Sequence, residues 1–186
     1  MDLTYRTASK VPFHGNSARC LVQRQQYALE MLSLLERGTY IINVDESWVN
    51  DLSFVRKCWQ TKEGLPSIPI KTVQPRLSII AAIDTEGRVW YALTQANTDS
   101  EVFMMFLRHL VDKLDQEIPT HRERVLIQVD GARYHISQIM CDYLKPLGVR
   151  LIYSGPYSYQ SAPIELLFAG LKLGELNKQR IPTGNK

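Results

Sequence analysis

Cysteine is scarce in this chain: Cys20, Cys58 and Cys141 are odd in number and far apart among 186 residues. That spacing argues against a disulfide framework and a Cys-x-x-Cys zinc site, and it fits a reducing compartment. Long apolar runs are missing as well. No window approaches eighteen unbroken apolar residues, and the opening "MDLTYRTASKVPFHG" has no apolar centre, so neither a membrane span nor a secretory signal is expected. Charge of one sign does not dominate, since 22 basic residues against 19 acidic ones leave a formal +3. A balance this mildly basic permits a nucleic-acid partner without requiring one. The sequence also lacks internal repeats and low-complexity tracts. What remains is 45% hydrophobic and 22% charged, the composition of one ordinary globular domain with room for a real core.

Residues 1–16 combine Pro12, Gly15 and Asn16 with polar neighbours and read as a loose arm. "ARCLVQRQQYALEMLSLLERG" then places its leucines on a helical pattern that predicts a helix over 18–37, closed by Gly38. "YIINVDES" is a short run rich in Ile and Val, expected to be a buried strand with Asp45 at its C-terminal end. The segment from Trp48 to Pro75 mixes prolines, aromatics and basic residues without a period and reads as an irregular excursion. "RLSIIAAID" and "RVWYALTQ", separated by "TEG", predict a hairpin of antiparallel strands. Thr98 and Glu101 match a capping box, and Phe103, Phe106, Leu107, Leu110 and Leu114 recur at helical spacing, so a helix is expected over 99–116. "RVLIQVDG" is a strand closing on Asp130, "HISQIMCDYLKPLG" a helix ended by Pro146 and Gly148, "VRLIYSG" a further strand, and Pro163 opens a last helix. A hairpin followed by alternating strands and helices points to an α/β fold with a mixed sheet covered by helices.

Three acids then stand at element ends. Asp45 and Asp130 follow strands, and the carboxyl edge of such a sheet is where α/β folds gather their ligands. Glu165 sits in the first turn of the last helix and can approach the same edge. Taken singly, each acid has a plain explanation: an Asp after a strand opens a turn, and a Glu favours the partly positive start of a helix. Taken together, three carboxylates at one point repel and lose hydration, and no Lys or Arg lies within two residues of any of them. Arg133, three positions after Asp130, is the nearest basic residue in sequence to that acid. A hard divalent cation such as Mg²⁺ or Mn²⁺ would supply the missing charge.

"IINVDESWVN", "VLIQVDGARYHIS" and "SGPYSYQSAPIELLFAGLK" together resemble the catalytic core of mariner-superfamily DDE transposases. In that family one strand ends in Asp-Glu-Ser/Thr, a second in Asp-Asn-Ala-x-x-His, and a proline-rich loop carries the third acid. Between Asp130 and Glu165 lie 34 residues, the spacing of one major branch. The resemblance covers roughly 40–175 and implies a ribonuclease-H-like fold: a mixed five-stranded sheet flanked by helices, over a core at 39–178, between an arm and linker helix at 1–38 and a polar tail at 179–186. It implies that Asp45, Asp130 and Glu165 are catalytic and bind two divalent ions, Mg²⁺ or Mn²⁺. These would activate water, and later a DNA 3′-hydroxyl, for attack on a phosphodiester. The expected partner is DNA, as element ends and as target, with a homodimer as the candidate assembly and no membrane. The expected setting is soluble and intracellular, nuclear in a eukaryote and nucleoid or cytoplasmic in a bacterium.

Departures from the family pattern carry expectations of their own. Gly131 replaces an Asn, while Gly155, Tyr159 and Ala162 replace Pro, Pro and Asn, so the loop before Glu165 loses two fixed backbone angles. No helix-turn-helix region precedes the core, so the sequence is also compatible with a domesticated or decayed fragment that binds nucleic acid without cutting it. Arg133, His135 and Lys172 are candidate DNA contacts, and His135 is equally readable as a helix-start residue with a local hydrogen bond. Glu46 points to the opposite face from Asp45 if the strand continues, which keeps it out of the carboxylate group. Trp48, Phe54 and Trp59 with Arg56, Lys57, Lys62 and Lys71 suit either DNA contact or a surface flap. Lys178 near the end either flanks DNA or favours a helix C-terminus. A phosphoacceptor signalling domain also gathers acids at strand ends, but the hairpin over 76–95 and the lack of a lysine closing "VRLIYSG" argue against it.

Overall fold

The computed structural model describes residues 13–49, 77–118 and 120–172. The excursion beyond Val49, with Phe54, Arg56, Lys57, Trp59, Lys62 and Lys71, lies outside the described residues, as do the start of the arm and Lys178. Five strands form one sheet in the order β3-β2-β1-β4-β5: β1 (Tyr40–Val49), β2 (Leu77–Asp84), β3 (Val89–Thr94), β4 (Val125–Val129) and β5 (Arg150–Tyr153). β1, β4 and β5 run parallel, while β2 and β3 join as the antiparallel hairpin that the "TEG" turn predicts. That edge pairing is the mixed topology expected from the sequence, and it separates the fold from an alternating strand-and-helix signalling domain.

Each helix forms where its sequence supplies both an apolar side and an end. α1 (Ala18–Glu36) opens at Ser17, whose hydroxyl accepts the Cys20 N–H, and is followed by Gly38 at φ +66, a conformation that costs glycine little. α2 (Ser100–Glu117) buries Phe103, Phe106, Leu107, Leu110 and Leu114, the spacing read from the sequence. Its cap is Asp99, whose carboxylate accepts the Val102 N–H, and not Thr98. A carboxylate is a charged acceptor at the positive end of a helix, and it displaces the hydroxyl one residue outside. α3 (His121–Arg124) is a single turn without an advance signal. α4 (Gln138–Leu144) starts three residues after His135, because Ser137 takes the capping role by accepting the Met140 N–H. α5 (Pro163–Gly170) starts on the proline that predicted it.

β1 corrects one expectation. The strand does not stop at the acid pair but continues to Val49. Its parallel register with β4 ends at Asn43 opposite Gln128, whereas its pairing with β2 carries on from Asp45 opposite Ala81 to Val49 opposite Leu77. The longer β2 keeps the backbone of β1 hydrogen-bonded after β4 has turned away. Asp45 therefore sits within a strand, at the point where β1 outruns its parallel neighbour.

Strand alternation divides the side chains between two layers. Ile42 and Val44 join Ile80, Ala82, Ile127 and Val129 beneath α2 and α4, in the larger core. On the other face, Ile79 and Ala81 pack against Ile164 and Phe168 of α5, and Tyr27 of α1 against Leu126 and Ile152. Among the described residues no helix is long and apolar enough to cross a membrane. Leu107 is fully buried at the centre of the larger core, while Leu166 is 78% exposed on α5. Leu107→Ala should therefore lower unfolding stability by about 2–5 kcal/mol in urea titrations, against less than about 0.5 kcal/mol for Leu166→Ala.

Candidate active site

The same alternation that buries Val44 turns Asp45 to the face of α5 and Glu46 to the face of α2. Asp130 follows β4, and Glu165 lies in the first turn of α5. All three acids line one cleft of about 480 Å³ at the carboxyl edge of the sheet, together with Ser154, Tyr157 and Tyr159. Among the described residues the lining contains no lysine, arginine or histidine. Arg133 is exposed and Lys172, two residues beyond α5, half-buried, and neither contributes to the cleft wall.

The three carboxylates meet different surroundings. Burial pushes the Asp45 carboxyl up to about 7, against the pull of the Glu46 N–H that donates to it at 2.8 Å, and the charges of Glu46, Asp130 and Glu165 add to the rise. Asp130 is held below the usual carboxylate range, chiefly by its 2.6 Å hydrogen bond to His135 Nδ1 and then by the Ala132 N–H at 2.9 Å. Glu165 stands exposed, its backbone N–H donating to the Ala162 carbonyl at 3.1 Å.

His135 is 1% exposed, with its ring 4.2 Å from those of Phe103 and Tyr134, so it has no free face for a phosphate. Its second nitrogen lies 3.4 Å from Glu46, which also accepts the Tyr134 hydroxyl at 3.1 Å. Burial works against a charge on this ring, but hydrogen bonds to Asp130 and Glu46 outweigh it and raise its pKa to about 9. At neutral pH the ring is then an imidazolium that donates from both nitrogens, clamping Asp130 to β1. Sequence reasoning placed Glu46 on the far face but missed this bridge. The signal was present, since a histidine five residues after Asp130 can fold back to the face where Glu46 points.

The loop from Ser154 to Ala162 closes the cleft. A Cβ on Gly155 would stand 3.1 Å from the Arg24 backbone of α1, so the missing proline leaves room for a close approach between loop and helix. Tyr157 adopts φ 57, unusual for a bulky side chain, and projects half-exposed at the cleft mouth. Among the described residues, no three acidic, histidine or cysteine side chains stand close enough to enclose one ion. The acids form an open set instead. Their all-oxygen chemistry, the absence of a basic lining residue and the raised Asp45 fit a hard cation that keeps water among its ligands.

A comparison with curated protein sequences finds no match. Among solved structures, the chain is similar to the Mos1 mariner paired end complex with Mn, at 22% identity and a TM-score of 0.77, covering 99% of this chain and 56% of that one. It is likewise similar to the catalytic domain of Mos1 mariner transposase, at 22% identity and a TM-score of 0.65, covering 87% of this chain and 74% of that one. The chain thus spans just over half the length of the paired-end protein, and at these identities the likeness is one of fold, the ribonuclease-H-like catalytic fold. The family model described as DDE superfamily endonuclease matches residues 40–185, which takes in all five strands and all three carboxylates. The chain belongs to the DDE superfamily endonucleases.

Proposed function

We propose that this chain is the metal-dependent DNA-cutting and strand-joining core of a mariner-type DDE transposase, with Asp45, Asp130 and Glu165 as the catalytic, metal-holding carboxylates. The observation that carries this reading is the convergence of the three acids on one cleft that no cationic side chain among the described residues lines, with Asp45 pushed to about 7. Solved relatives are described as complexes with Mn or Mg, with a transposon end, and as a strand transfer complex, which supports divalent ions and DNA as the partners here. Two divalent ions held by these carboxylates would lower the pKa of an attacking hydroxyl and neutralise charge on the phosphate and leaving oxygen.

The chain's own residues prepare that chemistry. Asp130 is kept ionised by His135 and aimed by the Ala132 N–H. Asp45 is short of positive charge, so it gains most from a bound cation. Glu165 enters from the first turn of α5 and stands exposed at the cleft. Exposed Arg133 and half-buried Lys172 are suited to contact the DNA backbone outside the cleft, while His135 acts through Asp130. The openness of the carboxylate set favours a second reading, a fragment that binds nucleic acid without cutting it.

The raised Asp45 gives a pH test with a definite sign. A carboxyl whose folded pKa moves from 3.8 to about 7 takes up a proton on folding, so its effect on stability worsens as pH rises through that range. Asp45→Asn removes the penalty. In EDTA at pH 8 the variant should melt above the parent by the few degrees that about 1 kcal/mol represents in a domain of this size. The gap should close once the pH falls below the ordinary carboxyl value of 3.8. Adding Mn²⁺ should raise the parent's melting temperature and leave the variant nearly unmoved. Equal shifts in both would remove Asp45 from the metal site.

Cleavage separates the two readings. With Mn²⁺ and duplex DNA, Asp130→Asn should cut at least about a hundredfold more slowly than the parent, as expected for the loss of one electrostatic stabiliser, with an unchanged circular dichroism spectrum. Cutting at the parent's rate would sink the catalytic assignment. A parent that binds DNA but cuts no faster than the variant would establish the non-catalytic fragment instead.

A further inference from the structure

α5 carries Glu165, yet its own sequence leaves its first turn without a side-chain cap. The N-cap position is Ala162, which offers no side-chain acceptor, and Pro163 at the first helical position has no N–H. The first N–H of the helix is that of Ile164, a fully buried residue. Its acceptor comes from a different element: Asn43 Oδ1 on β1, at 3.0 Å. The Asn43 amide also donates to the Gln128 carbonyl of β4 at 3.4 Å, and the Gln128 side chain donates to Ser154 Oγ, just after β5, at 3.1 Å. Asn43 is 4% exposed and Gln128 1%, so the two bonds of Asn43 are made away from water, while the chain ends at Ser154 on the cleft wall.

The placement of this polar chain matters more than its existence. Asn43 lies two residues before Asp45 on the same face of β1, Gln128 two residues before Asp130 on β4, and Ile164 next to Glu165 on α5. Each carboxylate thus has a member of the hydrogen-bonded chain one step behind it. We propose that Asn43 is a positioning residue that caps α5 from β1 and so holds Glu165 beside Asp45 and Asp130 at the cleft where divalent ions would bind. A cap within α5 would satisfy the Ile164 N–H equally well, but it would leave the helix free to shift against β1. A cap from the strand fixes the distance between two acids that repel each other. The inference rests on the reading of the three carboxylates as a metal site.

The test is Mn²⁺ binding by the 186-residue chain, followed by calorimetric titration and by thermal unfolding with and without the ion. Asn43→Ala should lower the metal-free melting temperature and weaken Mn²⁺ binding about tenfold or more, as the loss of an outer-shell partner typically does. Ala162→Ser, added to Asn43→Ala, gives α5 a cap of its own. That double variant should regain melting temperature while its Mn²⁺ affinity stays weak. Recovery of affinity together with stability would reduce Asn43 to a helix cap and overturn the proposal, as would Asn43→Ala binding Mn²⁺ like the parent. If Asn43→Ala fails to fold, Asn43→Thr, whose hydroxyl is too short to reach Ile164, is read by the same criteria. A parent that binds Mn²⁺ no better than Asp130→Asn would instead fail the metal-site reading, and this inference with it.

Discussion

Repulsion among Asp45, Asp130 and Glu165 is the constraint that the rest of the site answers. Besides burial, the charges of Asp130 and Glu165 both raise the Asp45 carboxyl, so a chain gathers three such groups in one cleft only if its fold opposes their separation. Here the opposition is built from strand pairing. β1 and β4 are locked in parallel register up to Asn43 and Gln128, and the long hairpin strand β2 holds β1 rigid past the point where β4 leaves it. The acids sit at that divergence, where backbone order persists on one side and space opens on the other.

The site does not neutralise its acids evenly. Asp130 receives a buried histidine that is itself tied to Glu46 on β1. Asp45 receives one backbone N–H and is otherwise surrounded by negative charge. A structural ion-pair cluster would spread its positive partners so that no carboxylate stayed near neutral pH. Here the cation-donating side chain is placed behind one acid, on the core side of the sheet, and the cleft side is left to its oxygens. That asymmetry suits the proposed cation site, with His135 packed against Phe103 and outside the cleft wall.

Much of this was legible in the sequence, for reasons that can be stated residue by residue. The leucine and phenylalanine spacing of α2, the "TEG" hairpin and Pro163 at the start of α5 are local signals, and local physics decided those elements. Asp45, Asp130 and Glu165 were singled out because the sequence reads each as closing or opening an element, and the structure brings all three to one cleft although β1 runs on past Asp45. The misses share a different cause. The extension of β1 past Asp45 depends on pairing with β2, whose partner residues lie 28 to 34 positions further along the chain. Asp99 displaced Thr98 at the start of α2 because a charged acceptor competed with a hydroxyl one position off. The Glu46–His135–Asp130 bridge and the Asn43 cap join separate elements, and no periodicity within one element reports on a partner in another.

The loop before Glu165 shows how such long-range contacts change a reading made from local chemistry. Without two of its family's prolines it was expected to be less rigid or differently shaped, and Pro156 is the one ring that still fixes a backbone angle within it. Yet Ser158 N–H bonds to the Gly155 carbonyl, Ser161 to Ser158 and Ala162 to Tyr159, at 2.9–3.1 Å, while Gly155 sits against the Arg24 backbone of α1. These bonds define a succession of tight turns whose last residue, Ala162, is followed by a helix capped from β1. Constraint has moved from side-chain rings to hydrogen bonds and to contacts with α1 and β1. A constraint of that kind is cooperative with the fold as a whole: anything that loosens β1 also loosens the helix that carries Glu165. The order of the carboxylate cluster is therefore coupled to the stability of the sheet, with α5 following β1 through one buried amide.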